Sequence, residues 1–443
     1  MIRTRRFKTS LFKRILLLLV ISLIIYAYIG SDRFVLASRS QISATEGLSS
    51  KISSAYFPTN GWRTSSPEAQ NLNSTKLNAM CDNIAESDIG VDSIAIVRNG
   101  FLVYEKVFEY YNYSPMHHLF SSTKSITSIL IGIANQTGYI TNLDQPVLEI
   151  FSDRNFTNMD SRKQSMTIRH LLKMESGLEW NEDPITNSSV DKHDYALLSN
   201  HTNFYFDNWP ICLESKAVQM VLLNTDWVQF ILDQPMRDEP GTRFEYSTGV
   251  AHLLSAIIQN KTGMKAADFA KLTLFDPLNI SNYYWWTDPM GITTGGHGLW
   301  MTPLDMLKIG YLYLNNGTWN NRQIVPKEWV QESTEPYNLG LRLNNNDWWY
   351  GYLWWVDNYT NTMQTGGFGG QFIFIKPDEN LVVSITASEH GFEESVSYFF
   401  YHFILTSITH PIQASPGLTG IEIIIIVVIL VSLFRYNKSK NRS

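Results

Sequence analysis

Two cysteines in 443 residues, Cys81 and Cys212, are too few for a cysteine-ligated zinc cluster or a disulfide framework. Either they pair, if the domain sits outside the cytosol, or they are two buried thiols. Basic charge is scarce as well. Lys and Arg number 35 against 41 Asp and Glu, and no long basic run outside the termini offers nucleic acid an electrostatic footprint. Around His117, His118, His297 and Glu175 there is no His-x-x-x-His or carboxylate cluster at ligand spacing. No metal and no cofactor is expected, and no internal repeat is visible. Apolar residues are abundant: 44% hydrophobic and 13% aromatic, enough to bury a large core as one big domain or two intimately packed lobes.

Both ends of the chain are hydrophobic in a way the middle is not. After the basic "MIRTRRFKTSLFKR", Ile15 to Gly30 carry no charge, which reads as a signal peptide or signal anchor, with a weak cleavage pattern at Ala37. Near the other end, Leu418 to Phe434 are interrupted only by Glu422 and followed by Arg435, Lys438, Lys440 and Arg442. This segment reads as a transmembrane helix with a cytosolic basic tail. The expected division is therefore 1–30 signal or anchor, 31–86 stalk and first helix, 87–410 folded domain, 418–434 membrane helix and 435–443 tail. Residues between the two runs should face outward. Sequons at Asn73, Asn135, Asn155, Asn187, Asn200, Asn260, Asn279, Asn316 and Asn358 fit that placement, while Pro115 makes the one at Asn112 a poor acceptor.

Between the ends, "DSIAIVRNGFLVYEKVFEYY" alternates about the turn pair Asn99-Gly100 and predicts a hairpin. A helical middle follows, in which "TIRHLLKMESGL", "DWVQFILDQP", "HLLSAIIQNKTG", "AADFAKLTLFDPL" and "PLDMLKIGYLYLNNG" carry apolar residues at spacings of three and four. Strand-like "YGYLWWVDN" and "GGQFIFIKPDENLVVSITAS" come last, before a final helix. Strands at both ends of this region, around a helical middle, imply one antiparallel sheet flanked by helices with an inserted all-helical lobe, and the expected α/β fold class adds a terminal transmembrane helix at each end. The polar, aromatic stretch 183–226 is either a lid or a surface insertion.

Three short motifs carry chemistry. In "HHLFSSTKSITSILIGIANQTG", Ser121 and Lys124 lie three apart on one helical face, as nucleophile and base. Ser10-Lys13 and Ser189-Lys192 share that spacing but lack a preceding hairpin and a following apolar helix. Burial and the positive end of the helix both disfavour an ammonium at Lys124, so its amine should titrate below the usual lysine range and accept the serine proton. In "PGTRFEYSTGVAHLLSAI", Tyr246 stands at a loop-to-helix junction, where a phenol near a lysine can relay a proton. In "MQTGGFGGQFIFIKP", four glycines let backbone approach a substrate, and the amide of Gln371 could join that of Ser121 in an oxyanion hole. A phosphate loop would open a helix, whereas this one opens a strand.

In this order the motifs resemble the serine β-lactamase and penicillin-binding-protein superfamily, most closely its class C-like esterase and 6-aminohexanoate-dimer hydrolase branch. The resemblance runs from about Asp92 to Ser397. It implies a β-lactamase-like α/β fold with the site between sheet and helical lobe. It also implies an acyl-enzyme at Ser121, proton transfer shared by Lys124 and Tyr246, and an oxyanion hole at the Ser121 and Gln371 amides. Two departures bear on substrate. Thr248 stands where Tyr-x-Asn would place an amide, and Phe368, ahead of Gly369 and Gly370, stands where a Lys or His is often found. Loss of that cation disfavours carboxylate-bearing β-lactams and peptide C-termini, and favours small esters or amides with an apolar or uncharged group. The rings of "DWWYGYLWW" divide between pocket and core. A membrane-anchored extracytoplasmic serine hydrolase is thus expected. The alternative is a catalytically silent protein of the same fold that binds a ligand or surface polymer.

Overall fold

Asn99 and Gly100 have φ of 52° and 77°, the left-handed pair that a two-residue hairpin requires because its twist matches that of the flanking strands. They join β1 (Val91–Arg98) to β2 (Phe101–Val107), as the sequence predicts. The computed structural model describes residues 56–87, 89–108, 115–182, 215–343, 346–387 and 393–409.

Six more strands complete the main sheet: β3 (Asn338–Leu343), β4 (Asn346–Tyr350), β5 (Trp355–Asp357), β6 (Thr362–Gly367), β7 (Gln371–Lys376) and β8 (Leu381–Ala387). The order across the sheet is β2-β1-β8-β7-β6-β5-β4-β3, antiparallel throughout. The first strand of this sheet therefore pairs with its last in sequence, Ile94 opposite Ile385 and Arg98 opposite Leu381.

Strand periodicity divides the core in two. On β1, Ala95 and Val97 point to one face while Ile94 and Ile96 point to the other. The Ile94 face packs on helix α1 (Ser74–Glu86), through Leu77, Met80 and Ile84, and on α5 (Glu393–Phe399). The opposite face packs on α2 (Ser122–Gln136), α3 (Thr248–Thr262) and α4 (Pro303–Leu314). These three belong to the helical insertion between β2 and β3, so a single hydrophobic core runs from sheet to inserted helices. Gly310 of α4 lets the helix lie on β7 and β8, since a Cβ there would fall 2.4 Å from Val382 and 2.7 Å from Ile373.

Among the described residues no helix is long and apolar enough to cross a membrane. This corrects the expected fold class, which closed the architecture with a transmembrane helix at each end. The longest described helices, α2 and α3, have 15 residues each, about 22 Å at 1.5 Å per residue, and they are spent on covering the sheet. The two hydrophobic runs, 15–30 and 418–434, lie outside the described residues, as do 183–214 of the polar stretch and Cys212. The described remainder of that stretch opens with the helix Lys216–Leu223, capped by Ser215. Cys81 lies with its sulfur 2.8 Å from the Tyr104 hydroxyl.

Candidate active site

Phe120 is held at φ 44°, a left-handed conformation that costs a bulky residue energy and persists only when its surroundings enforce it. Here they do. The preceding pair His117–His118 is hydrogen-bonded as a strand to Leu299–Met301, and the amides of Ser122, Thr123 and Lys124 have already begun the next turn on the carbonyls of Leu119, Phe120 and Ser121. The result is a sharp strand-to-helix corner with Ser121 at the N-cap of α2. Ser122 ties the corner to the sheet. Its hydroxyl donates to the Gln371 carbonyl at 2.8 Å and lies 2.9 Å from the Thr365 hydroxyl. The hairpin of β6 and β7 comes so close that a Cβ on Gly367 would sit 2.2 Å from the Leu119 carbonyl oxygen. Its turn uses Gly369 and Gly370 at φ 76° and 95°. The corner at Ser121 and the start of β7 at Gln371 are thus neighbours.

Lys124 is 1% exposed. Its Nζ lies 2.9 Å from Ser121 Oγ, 2.9 Å from Thr248 Oγ1 and 3.0 Å from the Gly296 carbonyl oxygen. The Tyr246 ring lies beside it, Nζ being 4.7 Å from the ring centroid. Tyr246 comes from the extended segment before α3, where Ser247 caps the helix by accepting from the Val250 amide. The phenol ring is held between Tyr350 and Trp355, stacked on the latter with centroids 6.0 Å apart. Ser121, Lys124, Tyr246 and Thr248 therefore converge, although Ser121 and Thr248 stand 127 positions apart in the chain.

Burial disfavours the charged form of three histidines near the site. His297 is fully enclosed, and burial above all lowers its pKa to about 3. Burial, then His297, holds His118 well below the imidazole range, and its Nε2 accepts from the Gly298 amide at 3.0 Å. His117 is lowered by burial to about 4 and lies 3.6 Å from Asp92. Glu175 pairs with Lys173 at 3.1 Å. Among the described residues no three His, Cys, Asp or Glu side chains gather as a metal site.

Aromatic rings occupy the side of the site where a cation was absent from the sequence. Phe368 meets Phe120 edge to face at 5.6 Å, Phe120 lies against His118 at 3.9 Å, and His118 stacks on Trp300 at 5.1 Å. In "DWWYGYLWW" the rings of Tyr350, Tyr352 and Trp354 are buried in the core, and Trp355 is the ring that supports Tyr246.

One residue of the site was missed by motif reading. Glu182 Oε2 accepts from the Thr248 amide at 2.8 Å and from Trp180 Nε1 at 2.7 Å, and Oε1 accepts from the Thr248 hydroxyl. The available signal was Thr248 itself: a hydroxyl in place of an amide needs a partner to fix its direction.

A nucleophile-bearing helix, a buried lysine three residues on and a tyrosine at the mouth of a second helix can together move a proton from serine to amine and on to a leaving group. Solved structures share the fold. A protein named as a 6-aminohexanoate-dimer hydrolase from Bacillus anthracis superposes with a TM-score of 0.56 at 23% identity, covering 73% of this chain and 80% of its own. EstCE1, a hydrolase with promiscuous acyltransferase activity, gives 0.58 at 15% identity, covering 78% and 99%. The octameric penicillin-binding protein homologue from Pyrococcus abyssi gives 0.55 at 20%, covering 75% and 77%. The Beta-lactamase family model matches residues 78–398, so the chain belongs to the Beta-lactamase family and is a serine hydrolase.

Proposed function

We propose that the protein hydrolyses small esters or amides with an apolar or uncharged acyl group through an acyl-enzyme at Ser121. The observation that carries this reading is the 2.9 Å approach of Lys124 Nζ to Ser121 Oγ at a fully buried position. As a neutral amine, Lys124 donates to Thr248 and Gly296 and turns its lone pair to the serine hydroxyl. It takes the proton as Oγ bonds to the acyl carbon. The amides of Ser121 and Gln371 hold the oxyanion. When the tetrahedral adduct collapses, the bond to the leaving group breaks, and the proton passes from Lys124 by way of Tyr246 to that group. Water then adds to the acyl-enzyme, gives up its proton to the same pair, and the acid departs as Ser121 Oγ is reprotonated.

The aromatic set Phe120, Phe368 and Trp300 favours an apolar acyl group. With Phe368 in the hairpin turn, no side chain of that turn supplies a cation for a substrate carboxylate. Action outside the cytosol belongs to the same proposal. It is supported by sequons whose asparagines Asn155, Asn316 and Asn358 lie exposed, and a glycosidase-sensitive mobility shift of the native protein would check it.

The deciding experiment is labelling with a fluorophosphonate. The native protein should form a covalent adduct at Ser121 that Ser121→Ala abolishes. An unlabelled native protein would leave only the catalytically silent binder.

A further inference from the structure

Thr248 holds one side of the lysine, and a hydroxyl is ambiguous: it can donate to the amine or accept from it. If it donated, it would occupy the lone pair that must receive the serine proton. The three bonds around Glu182 remove the ambiguity. Its carboxylate takes two N–H donors on Oε2 and the Thr248 hydroxyl on Oε1, and an ionised carboxylate only accepts. Thr248 must therefore give its proton to Glu182, leaving Oγ1 as an acceptor for Lys124.

We propose that Glu182 is a positioning residue that acts through Thr248. It fixes the hydroxyl direction, so that Thr248 and the Gly296 carbonyl take both protons of the neutral Lys124 amine and its lone pair faces Ser121. The arrangement explains how threonine serves at a position where an asparagine amide, with separate donor and acceptor atoms, would need no such help. Trp180 fastens the carboxylate in place. Its indole nitrogen donates to Glu182, and its ring packs so closely on α3 that a Cβ at Gly249 would lie 2.4 Å from it. The inference rests on the acyl-enzyme reading above. Among the described residues, the titratable groups around the lysine include Tyr246, His297 and, across Thr248, Glu182, and Tyr350 faces both Tyr246 and Glu182.

The test is the pH dependence of p-nitrophenyl butyrate hydrolysis by the full chain, in wild type, Glu182→Gln, Thr248→Val and the double variant, with folding checked by thermal unfolding. Glu182→Gln removes a negative charge near the amine and lets the Thr248 hydroxyl donate to it. Both changes favour the neutral amine while misdirecting its lone pair. The expected result is a kcat about 10- to 100-fold lower, KM within about threefold, and an acid limb displaced about one unit to lower pH. Thr248→Val should lose a comparable factor, and the double variant should be no slower than Thr248→Val alone. A wild-type kcat and acid limb in Glu182→Gln, or a double variant that loses the product of the two factors, would overturn the proposal. Should Glu182→Gln not fold, Thr248→Val decides, since wild-type kcat in that variant is incompatible with it. Retained turnover in Ser121→Ala would bring down the acyl-enzyme reading as well, whereas a dead Ser121→Ala beside an unaffected Glu182→Gln removes Glu182 alone.

Discussion

Lys124 and Lys163 are the two lysines buried almost completely among the described residues, at 1% and 0% exposure, and they do opposite things. Lys163 donates to the carbonyls of Thr157 and Leu232, at 3.1 and 2.8 Å. Burial lowers its pKa, while the carboxylates of Asp233 and Asp160 oppose that. A carbonyl oxygen only accepts, so this lysine is required as a donor and works as a clamp between two segments. Lys124 faces one carbonyl and two hydroxyls, and a hydroxyl can reverse its role. Burial alone therefore does not create a base; the reversibility of the partners does.

Replacing each lysine by Met breaks the comparison most directly. Lys124→Met should lower kcat at least about 10³-fold, roughly 4 kcal/mol of barrier, with a smaller loss of stability than Lys163→Met, because it strands one carbonyl, Gly296, where Lys163→Met strands two. Lys163→Met strands the Thr157 and Leu232 carbonyls and should cost about 3 kcal/mol of stability, with kcat of the folded fraction within about twofold of wild type. Equal losses of activity in the two variants, measured beside their melting curves, would erase the distinction.

Acid sharpens it. An unfolded imidazole titrates near 6.5, whereas folded His117 and His297 sit at about 4 and about 3. Below the unfolded value the denatured chain binds protons that the native chain refuses. Stability is therefore complete above about pH 6.5 and is lost as pH falls toward 4 and 3, by about 2 kcal/mol per histidine at pH 5. Melting curves from pH 7 to pH 5 should fall in every variant, and Lys163→Met should unfold at the highest pH of the series. A flat profile would mean that the rings are not held neutral. The smallest effect concerns a lysine placed at the half-buried position 368. Phe368→Lys should raise cephalosporin turnover by about three- to tenfold and weaken an apolar ester by a similar factor. No change in either would disconnect that turn from substrate choice.

Much of this was legible in the sequence where local chemistry decides. Asn99-Gly100 dictates its own turn, and the apolar stripe behind Ser121 dictates the helix that carries Lys124 inward. The pairing of β1 with β8 could be inferred from the position of the strands at both ends of the helical middle. Glu182 was not legible, because its role depends on a contact across 66 positions that no spacing rule encodes. The left-handed Phe120 was hidden for a similar reason: only the neighbouring strand and the hairpin of β6 and β7 enforce it. The terminal membrane helices were read from hydropathy and basic flanks, and both segments lie outside the described residues.

The meeting of β1 and β8 sets an order of events during synthesis. Ser121 and Lys124 emerge from the ribosome some 250 residues before the strand that carries the Gln371 amide, and β1 has no β8 beside it until Leu381–Ala387 have been made. On the proposed mechanism, translation must therefore pass the hairpin of β7 and β8 before Ser121 can react, and a ribosome-stalled fragment would carry the proposed nucleophile without its oxyanion hole. Long-range closure of this kind slows folding, and here it also delays the onset of chemistry until the nascent domain is whole.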